Sequence, residues 1–270
     1  MESQIANSFT KDTFVISEVL DAIGDYFAKD ESRKINRVFV FSSLVSMRLS
    51  YEDQKNFILS IMERFSSKTI YIPAYTYNSR RLIPYSDSEC PSPQNGSLSR
   101  IVFKEELHKG VRTLDEDYSY FVIGSENRSE IQAARESEWK SKSFGSNSHH
   151  EALYLEPAIF LTVGNGFRDG FTPAMHFEAL NNVDYREYLD IPSQAIKGQF
   201  KKYYAKKVDG NLDFGKKGRE KLAAEFKDSP KTSFKAYSIQ GKAEIYAFTL
   251  DELTAVTSSA LRRNKNFFLT

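Results

Sequence analysis

AIFLTVGNGFRDGFTPAMHFEAL, residues 158–180, decides the fold. Residues 158–163 form an unbroken apolar run, the pattern of a strand buried on both faces, as in the parallel sheets of α/β proteins. Gly164 and Gly166 break the run, and the spacing then predicts a helix that carries His176 and Glu178. Open α/β sheets bind ligands beyond the carboxyl ends of their strands. Of the four histidines (His108, His149, His150 and His176), only His176 follows a glycine-punctuated turn off a core strand, so it is the candidate general base.

Working outward, the upstream half repeats the strand and helix alternation. Apolar positions at helical spacing predict an opening helix over residues 12–28, and NRVFVFSSL (36–44) is a β-branched and aromatic strand ending in two hydroxyls. Residues 51–65 return to helical spacing, and TIYIPAYTY (69–77) is the next strand. A strand, helix and strand unit of this length implies parallel neighbours with a right-handed crossover. Residues 78–110 are rich in Ser, Pro, Asn and Arg, which predicts a long loop with one short helix near 98–103, and a loop of that length is usually functional. A short ordered piece over 112–124, a polar helix over 129–139 and a turn at 144–148 lead back to the central strand. Downstream, the pattern predicts a strand at 199–208, a helix at 216–226, a hairpin over 234–248 turning on Gln240 and Gly241, and a closing helix at 251–262.

Composition bounds the function. A chain of 270 residues suits a single domain over 1–270. Lys plus Arg (37) nearly cancels Asp plus Glu (36), which gives no reason to expect a nucleic-acid or membrane-surface partner. The Lys-rich stretch 197–221 has interleaved acids and reads as a solvated face. One cysteine, Cys90, leaves no intramolecular disulfide and no paired-cysteine zinc motif. The adjacent His149 and His150 would point to opposite faces of a strand, and no metal site is expected. The first residues lack a signal peptide's basic and apolar regions, so a cytoplasmic location is expected. A homodimer is compatible with all of this.

The ordered series RVFVFSSL, IPAYTYN, PSPQNGSLSRIVF, VRTLDEDYSYFVIG, FGSNSHHEAL, and IFLTVG followed by TPAMHFEA resembles the aminoglycoside 3-N-acetyltransferase family. The family pattern comprises a strand ending in HSSL, a PTYT strand end, a PSxxG loop, an RSxHPxxS element, an SP turn and an HxxE-type helix start. The resemblance implies a three-layer α/β/α sandwich with a central mixed, largely parallel sheet. It also implies direct transfer of an acyl group from coenzyme A to a sugar amine, without an acyl-enzyme. This chain departs at Phe41 in place of histidine, at Asp115 and Glu116 in place of His-Pro, at His149 in place of proline, in the glycines missing after Leu44, and in Glu178 standing one residue early.

The chemistry needs a base, because an amine attacking a thioester must first lose a proton. The family places an acid about thirty residues downstream of the histidine, which implies Asp209 as the orienting group, with Asp213 and Glu178 as fallbacks; each could equally be a solvated turn acid. Phosphates favour helix N-termini, so Ser42, Ser43 and Leu44 are candidate contacts for the donor, with Arg112 and Ser119 beside them by resemblance. Thr76 is placed to donate to a thioester oxygen or a substrate hydroxyl. For the serines and Thr76, capping a strand end is the competing role. Arg80, Arg81, Arg100 and Lys104 in the long loop favour an anionic acceptor, such as a nucleotide-linked amino-deoxy sugar used for a surface polysaccharide. An aminoglycoside acceptor, or a silent relative that binds coenzyme A or a sugar without transfer, is the alternative.

Overall fold

The computed structural model describes residues 20, 35–44, 49–86, 88–124, 129, 132–133, 138–164, 167, 171–207, 216–228, 235–239 and 243–269. All but Leu20 of the expected opening helix, most of the polar helix over 129–139 and the hairpin turn at Gln240 and Gly241 therefore lie outside the described residues.

The elements are β1 (Arg37–Ser43), α1 (Tyr51–Arg64), β2 (Thr69–Pro73), α2 (Asn78–Arg81), α3 (Ser97–Lys104), β3 (Tyr120–Ile123), α4 (His149–Leu153), β4 (Ala158–Gly164), α5 (Pro173–Leu180), β5 (Arg186–Pro192), β6 (Phe200–Lys206), α6 (Lys216–Asp228), β7 (Lys235–Ile239), β8 (Ala243–Thr249) and α7 (Leu250–Arg263). Six strands make one sheet in the order β3-β2-β1-β4-β8-β7. Its centre, β2-β1-β4, is parallel, and β3, β8 and β7 join it antiparallel to their neighbours. The sheet is mixed, as expected.

Strand alternation sorts the core into two layers. Val38 and Val40 of β1 join Ile70, Ile72, Ile159 and Leu161 against Phe57, Ile58 and Ile61 of α1 and Leu98, Ile101 and Val102 of α3. Phe39 and Phe41 face the other way, toward Phe177 of α5, Leu222 and Phe226 of α6 and Leu253 of α7. That second face is aromatic across four strands. Tyr71, Phe39, Phe160 and Phe248 are register partners in turn. Their rings stack at centroid distances of 4.7, 5.2 and 5.8 Å. Each buried ring contributes roughly 2–3 kcal/mol of transfer free energy, and together they fix the register of the sheet. Ser50 begins α1 with a reciprocal cap: its side chain accepts from the Asp53 N–H while Asp53 accepts from Ser50.

Several expectations change. The second strand ends at Pro73 rather than Tyr77, because the chain turns left-handed at Tyr77 (φ 57°) to start α2. His149 and His150 sit on a short helix, not a strand, and both are buried. An extra strand, β5, pairs antiparallel with β6 as a separate ribbon. Arg112 and Ser119 meet one another but serve as a brace: Arg112 Nε donates to Ser119 Oγ at 2.7 Å, and its other nitrogens donate to the carbonyls of Glu89 and Ala74.

The run Asp115, Glu116 and Asp117, which stands where the resemblance places a ligand-facing His-Pro, is fully buried. Each acid ties down a different segment. Asp115 accepts from Lys201 Nζ of β6 at 2.7 Å and from Ser143 Oγ, Glu116 accepts from Ser193 Oγ and the Gln194 and Ala195 N–H groups, and Asp117 accepts from the N–H and hydroxyl of Ser79. Lys201 is itself fully buried, so the solvated-face reading of 197–221 fails at this residue.

Burial, and then the neighbouring Asp115, pushes the Asp117 carboxyl up to about 6. A raised acid holds its proton more tightly folded than unfolded, so this contribution is present below about pH 4 and is lost as pH rises through 6. Thermal melts should therefore show the wild type losing roughly 3 kcal/mol more than Asp117→Asn between pH 4 and pH 7. Parallel stability profiles for the two proteins would remove Asp117 as the cause.

Candidate active site

The carboxyl ends of β1 and β2 open into a cleft of about 670 Å³. This is the end of a parallel sheet where ligands bind. Phe41, Ser42 and Ser43 from β1, Pro73, Tyr75 and Tyr77 after β2, and Thr172, Ala174, Met175 and Glu178 from α5 and its lead-in form its walls. The β5-β6 ribbon adds Arg186, Tyr203, Tyr204 and Lys206, while Arg219 comes from α6. Among the described lining residues, four cations (Arg80, Arg186, Lys206 and Arg219) face one acid, Glu178.

That acid is already engaged. Glu178 Oε1 accepts from Tyr185 Oη at 2.9 Å and Oε2 lies 2.6 Å from Arg186 Nε. Burial pushes its carboxyl up, against the pull of Arg186. Glu178 therefore does not orient His176, and two residues apart on a helix the side chains cannot share a face. The cations are near enough to act on one another: burial lowers the Lys206 ammonium first, and Arg186, Arg219 and Arg80 lower it further.

His176 follows the cleft-lining Ala174 and Met175 on α5 but is not itself among the lining residues and is 4 % exposed. Its ring packs edge-on to Tyr154 at 5.2 Å and stacks 6.4 Å from His150. Nδ1 accepts the Gly145 N–H at 3.2 Å, so the neutral ring carries its proton on Nε2. Burial lowers its pKa to about 4. Gly145 is held between two elements at φ 76°, where an added Cβ would stand 2.6 Å from Tyr188 Oη and 3.1 Å from Ala179 Cβ, so only glycine places this N–H against the ring. Asp209 and Asp213 lie outside the described residues.

The remaining candidates divide. Ser42 and Ser43 are half-buried and face the cleft, whereas the Leu44 side chain is packed into the layer beneath α1 and α3. Thr76 is fully buried and its hydroxyl donates to the Glu116 carbonyl at 2.9 Å, which is the capping role. Arg112 and Ser119 form the brace described above and line no part of the cleft. Sequence reasoning missed the ribbon residues Arg186, Tyr203, Tyr204 and Lys206, and also Tyr75 and Tyr77. The tyrosines were visible in IPAYTYN and FKKYYAK, where aromatic residues end a strand or alternate with lysines.

A second hollow of about 740 Å³ lies at the opposite end of the sheet, beside the start of β4 and the first turn of α7. Glu225, Asp228, Asp251 and Glu252 outweigh Arg263 there. It is the wrong end of the strands and the wrong sign of charge for a phosphate-bearing ligand. Among the described residues, no cluster of three or more His, Cys, Asp or Glu side chains could hold a metal ion, and no helix is long and apolar enough to cross a membrane.

No protein-family model matches the sequence, and a search of curated proteins finds no match. Solved structures do match. Aminoglycoside acetyltransferase AAC(3)-IVa in complex with gentamicin superposes with a TM-score of 0.63 at 15 % identity, covering 87 % of this chain and 84 % of that one. YokD from Bacillus subtilis gives 0.63 at 16 % identity over 93 % and 99 % of the two chains. Aminoglycoside acetyltransferase AAC(3)-IIb gives 0.62 at 15 % over 91 % and 97 %. The chain has the α/β fold of these structures.

Proposed function

We propose that the chain is an acyl-CoA-dependent N-acyltransferase that acylates the amine of an amino sugar, with acetyl-CoA or another acyl-CoA as donor. The observation that carries this reading is the cleft itself: cationic, rich in tyrosine, and set at the carboxyl end of β1 and β2 in a fold shared with aminoglycoside acetyltransferases. Ser42 and Ser43, at the carboxyl end of β1, are the contacts for the donor. Transfer is direct: the amine nitrogen bonds to the thioester carbon, the carbon–sulfur bond breaks, and coenzyme A leaves as the thiolate, which takes up the proton removed from the amine. His176 takes the amine's proton, for which Nδ1 must exchange the 3.2 Å Gly145 bond for that proton.

The acceptor in this proposal is anionic. Arg80, Arg186, Lys206 and Arg219, against a Glu178 already bound to Arg186, repel a polycation and attract a diphosphate. A nucleotide-linked amino-deoxy sugar, of the kind built into surface polysaccharides, satisfies both the charge and the amine, and tyrosine faces suit its rings. The second reading, an aminoglycoside acceptor, is favoured by the ligand of the AAC(3)-IVa neighbour.

Thiol release from acetyl-CoA, measured with UDP-glucosamine and with gentamicin, separates these readings. Release with UDP-glucosamine, cut at least tenfold in kcat/KM by Arg219→Glu, is expected. Release with gentamicin alone would move the acceptor to the aminoglycosides. No release with any acyl-CoA and amine would leave a binding protein.

A further inference from the structure

A directed chain of hydrogen bonds leads from the cleft into the core. His150 Nδ1 lies 2.7 Å from the Ser143 carbonyl oxygen, which can only accept, so Nδ1 carries the ring proton and Nε2 is the acceptor. Tyr120 Oη, 3.0 Å from Nε2, must then donate to it. With its own proton committed, the Tyr120 oxygen receives the Tyr75 hydroxyl proton at 2.9 Å and can only accept from the neighbouring Tyr154 hydroxyl. All three side chains are buried, and Tyr75 is the one that lines the cleft. Every proton along the chain is thus turned inward, and Tyr75 keeps lone pairs only for what lies on its cleft side. Thr172, at the lead-in to α5, bonds the same hydroxyl and takes one of them.

We infer that Tyr75 binds the acceptor's amine, its oxygen accepting an amine N–H, with Tyr120 and His150 as positioning residues that hold the Tyr75 hydroxyl in that orientation. A hydroxyl free to rotate would serve a donor or an acceptor equally; this one is set to prefer a group that donates. The inference rests on the N-acyltransferase reading and assigns a residue that the sequence did not single out. The preference is for an amine over an ether or carbonyl at the reacting position. It also explains why a buried histidine with no carboxylate partner sits behind a tyrosine wall.

The test uses the full chain, acetyl-CoA, and UDP-glucosamine and gentamicin as acceptors. Tyr75→Phe keeps the ring and removes the oxygen. It should raise KM for whichever amine is used by the wild type by about 10- to 100-fold, the range for a hydrogen bond to a charged group, while KM for acetyl-CoA stays within twofold. His150→Leu releases the Tyr120 proton to Tyr75 or to the Tyr154 hydroxyl, so the Tyr75 proton is no longer held inward, and should raise the same KM. In the Tyr75→Phe background His150→Leu should add nothing further to it, because the second residue acts through the first. A purely structural His150 would instead lower the melting temperature and weaken both substrates additively, and that result overturns the inference. So does a Tyr75→Phe protein whose amine KM is unchanged, with the acyltransferase reading left standing. Absence of turnover in the wild type with both amines overturns the acyltransferase reading and this inference with it.

Discussion

Asp115→Asn should cost the fold about 3–5 kcal/mol, the usual penalty for leaving a buried charge without its partner. Burial alone pushes the Asp115 carboxyl up, but Lys201, and then His149, overcome this and hold it well below the ordinary carboxylate range. The carboxylate also accepts the N–H groups of Asp117 and Tyr118 at 2.9 and 2.8 Å. Both bonds fall on Oδ1, so asparagine can keep them, but its amide nitrogen then stands where Oδ2 met the ammonium and cannot accept from or neutralise it; among the described residues the ammonium is left with the Lys140 carbonyl and the face of Trp139. For a chain of this size the melting temperature should fall by roughly 6–15 °C. Lys201→Met on its own strands the carboxylate and should cost a similar amount, whereas the double variant should recover most of the loss, because the unpaired charge is then gone. A single Asp115→Asn within 1 kcal/mol of wild type in urea melts would show that the pair is not a tie. Below about pH 4 the stabilisation from Asp115 is expected to fade, since a depressed acid contributes above its unfolded pKa and loses that contribution as pH falls through its folded one.

His176→Asn should lower kcat by about 100- to 10,000-fold while acetyl-CoA binding is retained. The ring is buried beside Tyr154 and His150, so a fall of a few degrees in melting temperature will accompany the change. Activity is therefore to be read at a temperature where both proteins are fully folded. The pH profile differs from that of an ordinary histidine base. With burial holding the ring near 4, it is neutral throughout pH 5–8, and His176 should put no inflection near 6.5 into the rate. Near-full turnover of His176→Asn at saturating amine would remove the residue from the chemistry and leave it as a packed core histidine.

The sequence showed most clearly what burial imposes on residue type. The run at 158–163, apolar but for Thr162, reads as a central strand, and the unbroken VFVF of RVFVFSS likewise marks a strand covered on two faces. β5 was hidden for the opposite reason: REYLDIP is half-exposed along its length, so water leaves its polar and apolar positions without a sharp pattern. Arg112 was taken for a ligand contact because a guanidinium that binds carbonyls and one that binds phosphate look the same in sequence. Lys201 was hidden among surface lysines, and only the three consecutive acids just before the apolar end of VRTLDEDYSYFVIG hinted that a buried cation was needed. Of the site, the strand ends and α5 were legible. The ribbon's contribution was not, because it is brought to the cleft by contacts distant in sequence.

The strand order has a consequence for the chain as it is made. β1 and β2 can pair as soon as the helix between them is complete, yet the other edge of β1 must wait for β4, which follows more than 100 residues later. At ordinary elongation rates that interval is roughly 6–20 s, during which β1 lacks the strand that pairs its second edge, Phe39 lacks its stacking partner Phe160, and that edge is open to other nascent chains. The slow passage of that edge from ribosome to partner strand, rather than the stability of the finished sheet, is where aggregation during synthesis is expected to begin.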